Sequence, residues 1–531
     1  LQLATIIFIL KGVCMSKNPI IWSDYPDIDV IRVDDTYYMI STTMHFMPGG
    51  VILRSYDLTN WETLTYVYDS LDNTPGQCLQ DDLSIYGKGM WAPAFKYHKG
   101  TFYVCFVAND TGKTYLYRSE NIMGPWRKST IEGFYHDCSI LFDDDDRVYI
   151  VYGNREIHLT ELNEDLSAPK PGGLNRVIVK EENNRFLCYE GSHIYKLNGK
   201  YYVFFIHSRP DKWRRTEACF IADSLEGEFV GRDCFDDDLD YHGVGIAQGG
   251  IVDTPDGEWY SILFQDHGAV GRIPVLVPVR WEEGNDFPIF GIDGKAPHEI
   301  TVKSTRPEHV YEPLYTSDDF NYTADEDGKV RLKKLWQWNH TPTDELWSVT
   351  ERPGAYRIRT GKLSPNLVLA ANTLTQRMMG PQCEAYVTVD AAAIKDGDYA
   401  GICALQGSYC LIAINKNEGK NYLVMLTKEE NPEEGIWGLK GGDKKPGKEI
   451  ARIPLEGSEA TLKVKANFID GIDEAEFFYK DGDNWIKLGI THKLRFKLDH
   501  FCGCRFGLFM FSTKEIGGHA DFLHFIYNLI E

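Results

Sequence analysis

Five residues of this 531-residue chain stand in one frame, and three of them are carboxylic acids. Asp27 lies eleven residues before Tyr38, and Trp91, Asp137, Glu190 and Gln248 lie twelve before Tyr103, Tyr149, Tyr202 and Tyr260. Strand starts that face a shared core are normally apolar or glycine. Carboxylates gathered at equivalent positions repel one another unless they are protonated, hydrogen-bonded or paired with a cation. Fold stability has no use for such a cluster, whereas acid–base chemistry does. The frame therefore selects Asp27, Asp137 and Glu190 from the 78 acidic side chains as candidates for proton transfer.

The elements that must position them form a repeat. A Gly/Asp turn followed by a Tyr- or Trp-rich apolar strand occurs at 34–42, 98–108, 145–153, 198–207 and 256–265. Each copy follows another apolar strand, so each reads as a hairpin. The tyrosine anchors are 65, 46, 53 and 58 residues apart. Strand-only repeats of this period read as propeller blades of about four strands each. The alternative, a β-sandwich with coincidental hairpins, does not produce five copies in order. The first strand of each blade lines the axis, and its N-terminal residues point into one shared pocket.

Composition narrows the function further. The formal charge is −22, which opposes a nucleic-acid partner. No apolar run approaches the ~20 residues of a spanning helix, so no membrane partner is expected. The 12 cysteines have no zinc spacing and read as reduced thiols of a cytoplasmic protein. Residues 1–10 are apolar but lack a basic flank and a cleavage site, so residues 1–17 are expected to be an extension with no role in the fold. Cytoplasmic is the expected location, with secretion the alternative. Homo-oligomerisation is left open. The acidic run 143–146 lacks the glycine of a calcium loop and reads as a solvated turn.

Around the framed residues the chain resembles family 43 of the glycoside hydrolases. Tyr25-Pro26-Asp27 with Asp35-x-Tyr37-Tyr38, Trp91-Ala92-Pro93, His136-Asp137-Cys138-Ser139, Tyr189-Glu190-Gly191-Ser192-His193 and Gly271-Arg272 are similar to that family's motifs, in its order. The resemblance implies a five-bladed β-propeller and inverting hydrolysis. Asp27 would be the general base, Glu190 the general acid and Asp137 the group that orients Glu190 and raises its pKa. Phe46, Trp91, Arg272 and Gln248 would bind sugar. The two working carboxyl groups should stand roughly 6.5–9.5 Å apart, leaving room for a water. One departure concerns the metal. Where the family often has a G-H-x-S histidine that helps hold calcium, this chain has Ala247-Gln248-Gly249-Gly250. His267, with His242 as its alternative, is the candidate calcium holder, and no cofactor is expected to be required.

The repeat ends after Tyr260. The expected division is an all-β propeller over 18–303, a linker over 304–317 and a β-sandwich over 318–531. The sandwich resembles the lectin-like C-terminal domain of the family's β-xylosidase branch through Trp336-Gln337-Trp338-Asn339-His340 and Glu351-Arg352-Pro353-Gly354. That branch implies an exo-acting enzyme releasing xylose from xylo-oligosaccharides or arabinoxylan fragments. The alternatives are α-L-arabinofuranosidase as the main activity and a non-catalytic carbohydrate-binding protein that retains the fold.

Overall fold

All five aromatic segments are second strands of antiparallel sheets. In a computed structural model describing residues 13–428 and 443–530, Tyr38 pairs with Ile31, Tyr103 with Lys96, Tyr149 with Leu141, Tyr202 with Tyr195 and Tyr260 with Val252. The first strands are Asp29–Val33, Met90–His98, Ser139–Phe142 and Glu190–Leu197, each heading a four-stranded sheet. In the fifth blade the first strand is split into Ile246–Ala247 and Ile251–Asp253. The split falls at Gly249 and Gly250. A Cβ at Gly249 would lie 1.7 Å from the Ile262 carbonyl oxygen, so no side chain is tolerated there.

Blades pack face to face, so their inner strands are covered on both sides. This explains the continuous apolar run of Lys200–Ser208, in which every residue after Lys200 is buried. Phe204 and Phe205 are wholly buried, each contributing about 1.5–3 kcal/mol of transfer free energy. The ring closes through a parallel bridge between Ile28 and Gly249. Val13–Lys17 pairs with Glu299–Lys303 outside the blades. The extension expected over 1–17 therefore has a structural role in its last five residues, because a strand partner 290 residues downstream is invisible in the local pattern. Residues 1–12 of that extension lie outside the described residues.

The segment 304–317 forms no strand but is clamped along the first blade. Arg306 pairs with Asp35 at 2.8 Å, His309 Nε2 lies 2.9 Å from Glu62, and the Tyr56 amide donates to the Tyr311 hydroxyl at 2.9 Å. Beyond it, two large antiparallel sheets form the β-sandwich. One sheet ends on a strand from the propeller: Phe46–Met47, in the first blade's long loop, pairs with Gln337–Asn339. Trp338 faces Met47 and Asn339 faces Phe46. Backbone hydrogen bonds thus join the two domains.

Candidate active site

The five framed residues all lie where the chain enters the first strand of a blade, at one mouth of the propeller. Three of them have left-handed backbone: Asp27 at φ 52°, Asp137 at φ 48° and Gln248 at φ 63°. For non-glycine residues such a conformation costs on the order of 1–3 kcal/mol and persists where its surroundings enforce it. At Asp27 the enforcement is visible. The Pro26 carbonyl accepts from Ser41 Oγ at 2.7 Å and from the Thr42 amide at 3.2 Å.

Asp27 is nearly buried and receives Arg272 Nη1 at 2.9 Å. Burial raises its pKa, and the Arg272 charge and the Thr42 hydroxyl oppose that rise. Arg272 is itself buried. Its amide donates to Asp24 Oδ1 at 2.8 Å, Nη2 reaches the Phe501 carbonyl at 3.4 Å, and Nε has no partner. Asp24 Oδ2 accepts from the Gly503 amide at 2.7 Å. One carboxylate therefore ties Arg272 to the sandwich.

Asp137 and Glu190 meet across His136. Its Nδ1 is 3.7 Å from Asp137 Oδ1 and its Nε2 is 3.6 Å from Glu190 Oε2. Burial holds the Asp137 pKa far above the usual carboxylate range. His136 works against this, while the charges of Glu190 and Asp27 add to it. Burial alone would favour a neutral His136, but Asp137 and Glu190 carry it up to about 9. Asn154 Nδ2 donates to Glu190 Oε2. The Glu190 side chain is 19% exposed against 9% for Asp27 and 8% for Asp137, so it is the most open of the three.

Gln248 packs against Gly191, where a Cβ would meet its side chain at 2.7 Å. The Gln248 amide donates to Glu217 Oε2 at 2.7 Å. Glu217 is buried and its Oε1 has no partner, and burial raises its pKa well above normal. It is a neutral acid that fixes the chain beside Glu190. Deeper on the axis, Asp29 accepts the Phe95 amide at 2.7 Å and lies 3.3 Å from His193 and 3.4 Å from Lys96. Burial raises the Asp29 pKa, but Lys96, the His193 contact and the Phe95 amide together outweigh it and the net direction is downward.

Trp91 lies on the rim, 5.9 Å from the His136 ring and 5.6 Å from the Phe501 ring. Phe501 belongs to the sandwich, and its ring stands 4.4 Å from the Arg272 guanidinium carbon. Phe46, expected as a sugar contact, does not have that geometry. It is 1% exposed, lies beneath Arg505 at 3.5 Å and is committed to the interdomain strand. The aromatic group against the Arg272–Asp27 pair is Phe501.

His267 does not fit calcium. Its Nε2 is 2.7 Å from Gln265 Oε1, its ring stacks on Tyr241 at 3.8 Å, and burial lowers its pKa to about 3. Calcium takes six to eight oxygen ligands. Neither His267 nor the exposed His242 joins a convergent group of three histidine, cysteine or acidic side chains among the described residues. Two such groups exist. His45, His500 and Cys502 converge in the domain interface, where the positive charge of Arg505 opposes a divalent ion. The other is the ion-paired trio His136, Asp137 and Glu190.

Sequence reasoning did not single out His136, Asn154, Glu217, Asp29 or Phe501. His136 was in view as the neighbour of Asp137. The others are brought in by contacts between blades or domains that leave no local signal.

Comparison with known proteins bears on the whole chain. Residues 16–287 match the sequence profile of glycosyl hydrolases family 43, and residues 324–528 match that of the beta-xylosidase C-terminal concanavalin A-like domain. A beta-xylosidase of Formosa agariphila is 27% identical, over 96% of this chain and 90% of that protein. A non-reducing end alpha-L-arabinofuranosidase of Bacteroides ovatus is 26% identical over 65% of this chain and 64% of that protein. A bifunctional GH43-CE structure from Bacteroides eggerthii superposes with a TM-score of 0.87 at 40% identity, covering 97% of this chain; this chain spans 64% of that longer protein. The framed carboxylates, the five blades, the appended sandwich and these matches have one meaning: this chain is a member of glycosyl hydrolase family 43.

Proposed function

We propose that this glycoside hydrolase is exo-acting and removes a terminal xylose, or arabinose, from xylo-oligosaccharides or arabinoxylan fragments with inversion. The observation that carries the reading is the asymmetry of the two outer carboxyl groups. Asp27 is ion-paired to a buried arginine, whose charge works against the upward shift that burial gives its pKa. Glu190 is the more open and accepts an amide on one oxygen only among its hydrogen bonds. Asp27 accepts a proton from water as that water bonds to the anomeric carbon. The glycosidic carbon–oxygen bond breaks, and Glu190 delivers its proton to the departing oxygen. Asp137, across His136 from Glu190, orients the acid.

The closing of the rim by Trp91, Phe501 and Arg272 supports exo action, since a polymer chain passing through needs an open cleft. Xylose is the leading sugar because the Formosa relative, matched over 90% of its length, is a beta-xylosidase. Arabinose is the second reading, favoured by the Bacteroides ovatus relative. The proposed reaction draws on no calcium, and His267, held by Gln265 and stacked on Tyr241, is not arranged to hold it. The eleven cysteines whose side chains are described are unbridged and mostly buried, which supports a reducing compartment and imported oligosaccharides.

The test is turnover of 4-nitrophenyl β-xyloside and α-arabinofuranoside with and without chelator, with the product anomer read by NMR. Turnover of at least one substrate, inversion and indifference to chelator are expected. No turnover of either would remove the substrate assignment, and retained configuration would remove the mechanism. Glu190→Ala should reduce turnover by about 10²–10⁴-fold while sugar binding persists; unchanged turnover would remove Glu190 as the acid.

A further inference from the structure

Among the described residues His136 is the cationic side chain placed between Asp137 and Glu190, and the reaction proposed above gives it no step of its own. The groups facing it come from three blades. Asp137 lies on its own loop at 3.7 Å from Nδ1, with Cys138 next to it. Glu190 stands on the fourth blade at 3.6 Å from Nε2. The Trp91 ring, from the second blade, lies 5.9 Å away. Asp27 and Arg272 lie beyond Asp137 and act on it in opposite directions.

The arrangement distinguishes the two oxygens of Glu190. Asn154 Nδ2 donates to Oε2, and His136 Nε2 faces that same oxygen. An oxygen that accepts from an amide N–H and faces a cation is the carbonyl oxygen of a protonated carboxyl group, because a hydroxyl oxygen in that position would direct its hydrogen at a donor. The transferable proton is thereby confined to Oε1.

We propose that His136 is a positioning residue which, as an imidazolium, works with Asn154 to hold Glu190 by Oε2, presents the acidic proton on Oε1 and stabilises the carboxylate left after that proton has gone. The proposal rests on Glu190 being the general acid. In the step itself the Oε1–H bond breaks, the hydrogen bonds to the departing glycosidic oxygen, and the carboxylate formed gains an opposite charge at its other oxygen. A charge-assisted contact of this kind is stronger than a neutral one. It strengthens as negative charge develops, which is where a contact accelerates a reaction. The same charge favours the carboxylate over the acid, so His136 gains rate and narrows the alkaline side of the activity range.

The test compares wild type with His136→Gln and His136→Phe on two substrates of different leaving-group ability, xylobiose and 2,4-dinitrophenyl β-xyloside, from pH 5 to 9. Loss of the imidazolium should move the alkaline limb of kcat/KM upward by about one pH unit. It should lower kcat on xylobiose about tenfold and much less on the dinitrophenyl substrate, which needs little protonation. Gln should restore part of the xylobiose rate relative to Phe by donating to Oε2. Melting temperatures establish that both variants fold. If either variant folds and its alkaline limb coincides with that of wild type within 0.2 pH unit, the proposal is overturned. Glu190→Ala separates the two readings. Full xylobiose turnover in that variant removes the acid itself, whereas its loss together with an unmoved limb in both His136 variants removes the proposal alone.

Discussion

Truncating Phe501 to alanine tests whether the second domain takes part in catalysis. The ring stands 4.4 Å from the Arg272 guanidinium carbon and 5.6 Å from the Trp91 ring. A partly desolvated cation–π contact is worth about 1–2 kcal/mol, and an aromatic pair about 0.5–1.5 kcal/mol. Both contacts converge on groups proposed to hold the sugar and the base, since Arg272 Nη1 is the partner of Asp27. Their loss therefore adds to the transition-state barrier about 1.5–3.5 kcal/mol, a fall in kcat/KM of about tenfold to several hundredfold. The measurement is steady-state kinetics on 4-nitrophenyl β-xyloside together with the melting temperature. Phe501 is half-buried, so stability should change little while kcat/KM falls, with KM rising and kcat falling as Arg272 loses its orientation. A kcat/KM within twofold of wild type, in a folded variant, would refute the idea that the sandwich completes the site.

Two further predictions concern buried ionisable groups. His207 lies 2.8 Å from Asp233 and 3.6 Å from Glu181; burial opposes its protonation, but these carboxylates raise its pKa to about 9. A folded pKa above the unfolded value contributes stability fully below about pH 6.5, and that contribution is lost as pH rises through about 9. Discounted for the half-exposed Asp233, it amounts to about 1–3 kcal/mol. His207→Gln should therefore lower the melting temperature clearly at pH 6 and little at pH 9.5; equal losses at both would contradict it. Glu217, held neutral by burial, should accept Glu217→Gln with a stability change within about 1 kcal/mol, because the amide oxygen still receives the Gln248 N–H. A loss of several kcal/mol in denaturant unfolding would mean that the native carboxyl is ionised.

The propeller was legible because its period is written in side chains that cannot be exchanged freely. Tyr149 and Tyr202 are buried between blades, so each copy must repeat an aromatic at one register. Counting back from them reaches the starts of the inner strands, which is why Asp27, Asp137 and Glu190 could be found without any geometry. Contacts between distant segments were not legible. Phe46 looks like a pocket aromatic in the loop Met44-His45-Phe46-Met47, yet its neighbours are Asn339 and Arg505. Phe501 occupies the rim from a residue more than 400 positions away from Asp27. Val13–Lys17 looked dispensable because Glu299–Lys303, which it needs, has no sequence mark of its own.

The strand Phe46–Met47 also bears on the order in which the molecule assembles. Its partner Gln337–Asn339 emerges about 290 residues later, which at about 5–20 residues per second is a delay of roughly 15–60 s during synthesis. Through that interval the first blade can pair internally while this short edge waits with unsatisfied backbone groups. Phe501 and Gly503 arrive later still. The carboxylates are thus in place long before Arg272 receives its last partners, and a ribosome-bound chain holds the chemistry of the site without its completed rim. Two residues make a small edge, which limits the time-dependent hazard of pairing with another nascent chain.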